Sequence, residues 1–151
     1  MRRILAVMAL LTVSLAAGHA QAAEGMVVVQ SPHSVAQTAD NLEAALTEKG
    51  MKIMNRIDHA AGAESAGMEL APTQVLIFGN PKAGTPLMKC AQSVAIDLPQ
   101  KALIWEDENG QTHLGYNDPD YLKARHNIEG CDQVLDNISK ALAGFAEAAT
   151  R

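Results

Sequence analysis

Basic side chains are in short supply in this chain. Its 151 residues carry twelve Lys and Arg against seventeen Asp and Glu, a formal charge of −5 at neutral pH. Nucleic-acid binding needs a basic footprint to displace counterions from phosphate, so this composition argues against it. Nor does it favour attraction to an anionic membrane. Cysteine is scarcer still, with only Cys90 and Cys131. There is no CxxC, no methionine repeat, and no pair of histidines at i, i+3 or i+4 spacing, so the usual local signs of a metal or redox centre are missing. No internal repeat, low-complexity tract or linker divides the chain, and its length fits one domain with one core.

Long apolar runs are absent but for one. Arg2 and Arg3 precede Ile4 to Ala17, and Ala20-Gln21-Ala22 follows as a small-x-small cleavage site. This order predicts a signal peptide over residues 1–22, a mature chain from Ala23, and a periplasmic or secreted location. A membrane span needs about 20 apolar residues. The run is shorter, so the mature form is expected off the membrane. No Cys follows it, which leaves a lipoprotein without its anchor residue. Losing Arg2 and Arg3 leaves ten basic side chains against seventeen acidic ones, a charge of −7. In an oxidising compartment the two cysteines have one possible pairing. Both fall on apolar faces of expected helices, where a bridge and two packed thiols are equally open readings. A bridge would contribute roughly 3–4 kcal/mol in the chain-entropy picture.

The elements follow from periodicity and punctuation. Met26 to Gln30 reads as a strand. Ser34 and Gln37 form a capping box ahead of a helix whose Val35, Thr38, Leu42, Ala45 and Leu46 share a face, and Gly50 closes it. Met51 to Ile57 alternates as a second strand, with Met51, Ile53 and Ile57 on one side. Ala60 to Met68 is a short alanine-rich helix ending near Gly67. Gln74 to Gly79 is apolar on both faces, the pattern of a central strand buried on two sides. Thr85-Pro86 reads as a helix start. Val94 to Leu98 and Ala102 to Glu106 read as strands, and Asn109-Gly110 as a hairpin turn into Thr112 to Tyr116. Asp118-Pro119 opens a short helix. The last helix spans about Asp132 to Ala148, with Cys131, Val134, Leu135, Ile138, Leu142 and Phe145 on its stripe. Strands clustered between two long helices indicate a single α+β domain, its sheet mostly antiparallel and its helices on one face.

Asp58-His59-Ala60-Ala61, Leu70-Ala71-Pro72-Thr73, the run Leu76 to Met88 (LIFGNPKAGTPLM), Ala95-Ile96-Asp97-Leu98-Pro99 and Tyr116-Asn117-Asp118-Pro119 together resemble the DUF302 family, a domain of unknown function. The likeness runs from about Val28 to the last helix. It implies a β-α-β(4)-α fold similar to that of the TATA-binding protein, and homodimers. The methionines of the second strand offer an adaptable contact surface for such a dimer. The resemblance implies no reaction, and the two cysteines lie outside its pattern.

Asp58 and His59 are the sharpest candidate pair. His titrates near neutrality and a carboxylate can orient it, which would suit a general base. Yet neighbours on a strand point to opposite faces, and Asp58 stands where it can cap the following helix. His59 would continue the Ile53 and Ile57 face as a half-buried, hydrogen-bonded residue. Gly79 to Thr85 lacks the Lys between Gly84 and Thr85 that a phosphate loop requires. Asn80, Lys82 and the helix start at Thr85 could still hold a small molecule or anion, although such a turn also serves simply as strand exit. No motif implies a cofactor. The reading that follows is an exported, non-catalytic binding module with a small-ligand site near this loop. Two alternatives stand beside it. One is a small enzyme with His59 as base and Lys82 or the helix N-terminus stabilising negative charge. The other is a copper binder assembled from His33, His59, His113, His126 and methionines.

Overall fold

A computed structural model describes residues 23–151. The expected signal peptide, residues 1–22, lies outside them. The elements run β1 (Met26–Ser31), α1 (Val35–Glu48), β2 (Lys52–Asp58), α2 (His59–Ser65), β3 (Thr73–Gly79), α3 (Pro81–Cys90), a 3₁₀ turn (Gln92–Ile96), β4 (Gln100–Glu106), β5 (Thr112–Asn117), α4 (Pro119–His126) and α5 (Asp132–Thr150). The five strands stand in the order β1-β5-β4-β3-β2, and every ladder is antiparallel. With the short helices set aside, this is the expected α+β order of β-α-β(4)-α.

α1 forms for local reasons. Ser34 Oγ accepts from the Gln37 amide at 3.2 Å, satisfying one of the helix's free N–H groups. Only half of the expected capping box exists, because the Gln37 side chain donates to Asn41 Oδ1 at 2.8 Å instead. Val35, Thr38, Ala39, Leu42 and Leu46 are buried. Gly50 follows at φ +71°, a conformation that is strained for any side chain with a Cβ.

α1 and α5 pack on one face of the sheet. Leu42 and Leu46 from α1, with Leu142, Phe145 and Ala149 from α5, meet Leu76, Phe78, Ala102, Ile104, Leu114 and Tyr116 from the three central strands. The Phe78 and Phe145 rings meet edge to face with centroids 6.4 Å apart. A smaller cluster of Leu87, Val94, Leu122, Ile128 and Leu135 seats α3 and α4 against the first half of α5.

Cross-strand partners make one row on the opposite face: Val28, Gly115, Leu103, Val75 and Ile57. Apart from Gly115, these residues are only half-buried. β3 is therefore covered on one side, not two, because both long helices lie on that side. Gly115 is crowded from above, since a Cβ there would stand 2.8 Å from Met26 Cε and 3.1 Å from Trp105 Cζ3.

Two further expectations need correction. Val94 to Leu98 is no strand: it contributes the 3₁₀ turn, in which Val94 alone is buried and Ile96 is 72% exposed. Its β-branched residues favour extension, but no strand lies beside them to complete a ladder. In β2 the register shifts between Ile53 and Asn55, so that Ile53 pairs with Phe78 and Ile57 with Val75. That bulge puts Ile53 and Ile57 on opposite faces of the sheet.

Candidate functional site

α3 begins at Asn80-Pro81, five residues before the expected start at Thr85-Pro86. Both pairs have the cap-then-proline pattern, but it is Asn80 that is extended, at φ −139° and ψ 122°. Its Oδ1 accepts from the Lys82 amide at 2.9 Å. Its carbonyl accepts from the Ala83 and Gly84 amides at 2.9 and 3.0 Å. Pro81 has no N–H to offer. The first amides of the helix are thus all occupied, and the helix start has no free donor for an anion. Thr85 sits inside the helix and Pro86 within it too, so the expected N-terminal anion site at Thr85 does not exist.

Beside this helix lies a cavity of about 1090 Å³, walled by α3, the end of α1, the start of β4 and α5. Asn80, Lys82 and Thr85 all line it, which unites three of the five candidate residues. Most of the wall is apolar: Met51, Met54, Pro86, Met88, Leu98, Ile138 and Phe145 among others. Met51 packs against the core and lines the cavity, and Met54 lines the cavity while remaining 43% exposed.

The wall also holds Gln100, which the sequence reading passed over. It is 8% exposed, and its Nε2 has no hydrogen-bond partner among the described residues. A buried amide left unpaired is costly, so such a group calls for an explanation. A signal was present, since Gln100 shares the inward parity of Ala102 and Ile104, where an apolar residue would be the rule.

Asp58 and His59 lie elsewhere. Asp58 Oδ1 accepts from the Ala61 amide at 2.9 Å, the cap that its position predicts, and Oδ2 accepts from Gln74 Nε2 at 3.1 Å. It borders a second depression of about 940 Å³ with Glu64, Glu69 and Glu106, acidic where the first cavity is basic. His59 opens α2 and is exposed. Its ring makes no hydrogen bond among the described residues, and it lines neither cavity. The half-buried, bonded histidine is not found, because the strand ends at Asp58 and the chain turns into helix. His59→Ala should accordingly leave stability within about 0.5 kcal/mol of the parent. A thermal melt that shows a clear loss would contradict this exposed placement.

Two histidine–aspartate pairs appear that sequence spacing could not show. His126 Nε2 meets Asp97 Oδ2 at 2.6 Å, Ser93 Oγ meets His126 Nδ1 at 3.0 Å, and Arg125 donates to Asp97 Oδ1 at 3.1 Å. A serine–histidine–aspartate chain invites a nucleophilic reading. None of the three lines either cavity, however, and Asp97 is shared with Arg125. The chain ties the 3₁₀ turn to the end of α4. In the second pair, His113 Nε2 meets Asp107 Oδ2 at 2.8 Å while the imidazole stacks on Trp105 with centroids 5.2 Å apart.

The His113 hydrogen bond, then the Gln111 amide, hold the Asp107 carboxyl below its ordinary value of 3.8. In the unfolded chain this carboxyl titrates at the ordinary value. Its stabilising contribution is therefore present above that pH and is lost as pH falls through the lower folded value. Asp107→Asn should be less stable than the parent near neutrality, and the difference should shrink below about pH 3.8. Melts taken across that range check this, and a gap that stays constant into acid would refute it.

Among the described residues, no three His, Cys, Asp or Glu side chains come together as metal ligands would. Cys90, ending α3, and Cys131, capping α5, stand at bonding distance with Cα atoms 6.4 Å apart. Cys131 is buried but Cys90 is exposed, so only one of the expected buried positions holds. The pair joins α3 and α5, two of the helices that wall the cavity.

An antiparallel sheet with two long helices on one face and an apolar cavity beside them defines a small α+β domain. The chain belongs to the family described as Domain of unknown function DUF302, whose model matches residues 27–145. A crystal structure of an uncharacterised conserved DUF302 protein from Bacillus stearothermophilus superposes with a TM-score of 0.76 at 22% identity. It covers 85% of this chain and all of that one, and at that identity the likeness is one of fold. Fluoride-specific ion channel FluC 1 of Brucella suis is 46% identical over 104 residues, which are 69% of this chain and 41% of that protein. FluC 2 of Brucella melitensis matches equally, over 38% of its length. The chain thus spans about two fifths of these relatives. No described helix is long and apolar enough to cross a membrane.

Proposed function

We propose that the mature protein is an exported, non-catalytic binding module that holds a small ligand in the cavity beside the Gly79-Asn80-Pro81-Lys82 loop. The observation that carries this reading is the cavity itself, a mainly apolar space on whose wall Asn80, Lys82 and Thr85 come together. The cavity's size and mainly apolar lining match those of small-molecule sites. The paired cysteines fit an oxidising compartment. The enzyme alternative loses its support, because His59 stands apart from Lys82 and from the cavity.

Native mass spectrometry of protein purified from the exported fraction tests both parts. The expected spectrum shows a chain starting at Ala23 and an adduct that denaturation releases. A chain retaining Met1 would count against export. A bare chain whose melting no small-molecule panel shifts would overturn the binding reading.

The module is further proposed to be a homodimer that uses the uncovered sheet face. The half-buried row from Val28 to Ile57 is centred on Leu103 of β4, the middle strand, so a two-fold axis there lets the row face its own copy. Light scattering should give twice the chain mass, and Leu103→Lys should yield a folded monomer. A parent mass that stays monomeric at all concentrations would overturn it.

A further inference from the structure

Deepening the binding reading above, on which it rests, we infer that the ligand is an amphipathic anion: an apolar chain bearing a carboxylate head. The strand ends determine where the head goes. Lys52 pairs with Gly79, and Phe78 pairs with Gln100. These pairings bring three things to one end of the sheet: the turn between α1 and β2, with Lys49; the start of α3, with Lys82; and the start of β4, with Gln100. All three residues line the cavity, as does Lys140 from α5. Three of the ten basic residues between 23 and 151 are therefore on this wall, but only one of the seventeen acids, Glu48.

In a chain with a strong excess of acid, that local reversal selects a negative ligand. Lys49 meets Glu48 at 3.6 Å, whereas Lys82 and Lys140 have no ion pair among the described residues. The amides at the start of α3 are already occupied, so an anion here must be met by ammonium groups. A carboxylate suits them, because its oxygens accept charge-assisted hydrogen bonds from groups such as Lys82 Nζ. The remainder of the ligand must be apolar, since Met51, Leu98, Ile138 and Phe145 offer it no polar partner. A bare inorganic anion would leave that volume unfilled.

Calorimetric titration of the full mature protein with laurate, decanoate, dodecanol, acetate and fluoride tests the inference. Laurate should bind, and decanoate about sixteenfold more weakly, from about fourfold per buried methylene. Dodecanol should bind at least tenfold more weakly than laurate, and acetate and fluoride not at all. Lys82→Gln changes an exposed side chain, so its fold should survive. It should weaken laurate about tenfold and leave dodecanol unchanged, as charged hydrogen bonds of this kind require. Equal binding of laurate and dodecanol, indifferent to Lys82→Gln, would overturn the anionic head while leaving the cavity a binding site. Fluoride or acetate binding as tightly as laurate would overturn the apolar chain. If neither laurate nor dodecanol binds, this inference fails, while the binding reading still stands or falls on the mass-spectrometric adduct.

Discussion

Removing the bridge with Cys90→Ala and Cys131→Ala should lower stability by about 4 kcal/mol. The two positions are 41 residues apart, and the closed segment contains the 3₁₀ turn, β4, β5 and α4. Opening a loop of that length gives the denatured chain back its end-to-end freedom, worth about 4 kcal/mol at 25 °C in the chain-entropy model. Most of the effect thus lies in the unfolded state, and it has a second signature. A denatured state without the cross-link is more expanded, so the slope of stability against urea should rise as the midpoint falls. Reductant should move the parent to the midpoint of the double variant and leave that variant where it is. Coincident urea curves for parent and variant, with no reductant present, would show that the bridge contributes nothing.

Phe78→Ala should cost about 3–5 kcal/mol, the usual range for emptying an aromatic site in a core. Phe78 is 1% exposed, on an inward position of β3, and its ring is braced edge-on by Phe145 of α5. Deletion removes both the burial of the ring and the aromatic contact. It also leaves a void that the surrounding strands cannot close, because Leu76, Ile104 and Leu114 are held in register by their ladders. Val75→Ala, three residues back along β3 on the uncovered face, should cost much less, since Val75 is only half-buried. The contrast tests which face of β3 carries the core. With total stabilities of about 5–15 kcal/mol, a loss like that at Phe78 is a large fraction of the whole. A urea series on the two variants gives the answer, and equal losses at both positions would contradict the one-sided core.

Much of the fold could be read from local signals. Ser34, the Leu42 and Leu46 spacing and Gly50 delimit α1, and Asp118-Pro119 starts α4, because caps and periodicity act within one or two turns. What misled was competition between equal local signals. Asn80-Pro81 and Thr85-Pro86 promise the same helix start, and only the chain's exit from β3 chooses the first. The turn around Val94 has a strand's composition but no neighbour to pair with. The bulge at Met54 is invisible in composition, yet it reverses the face of every residue after it in β2. The site was half legible. Asn80, Lys82 and Thr85 lie together because α3 carries them all, and Asp58 caps α2 as its place demands. The bonding of Asp97 to His126, 29 residues away, depends on tertiary packing that no spacing rule encodes.

The bulge in β2 also bears on how this protein behaves when crowded. β1 and β2 are the two edges of the sheet. A filament built by strand addition must recruit through both edges, each molecule donating one and accepting with the other. The register shift between Ile53 and Asn55 interrupts the hydrogen-bonding rhythm along β2, so a second chain cannot zip along it. β1, paired in regular register along its whole length, is left as the single competent edge. One irregular residue thus denies strand addition a route to unlimited growth.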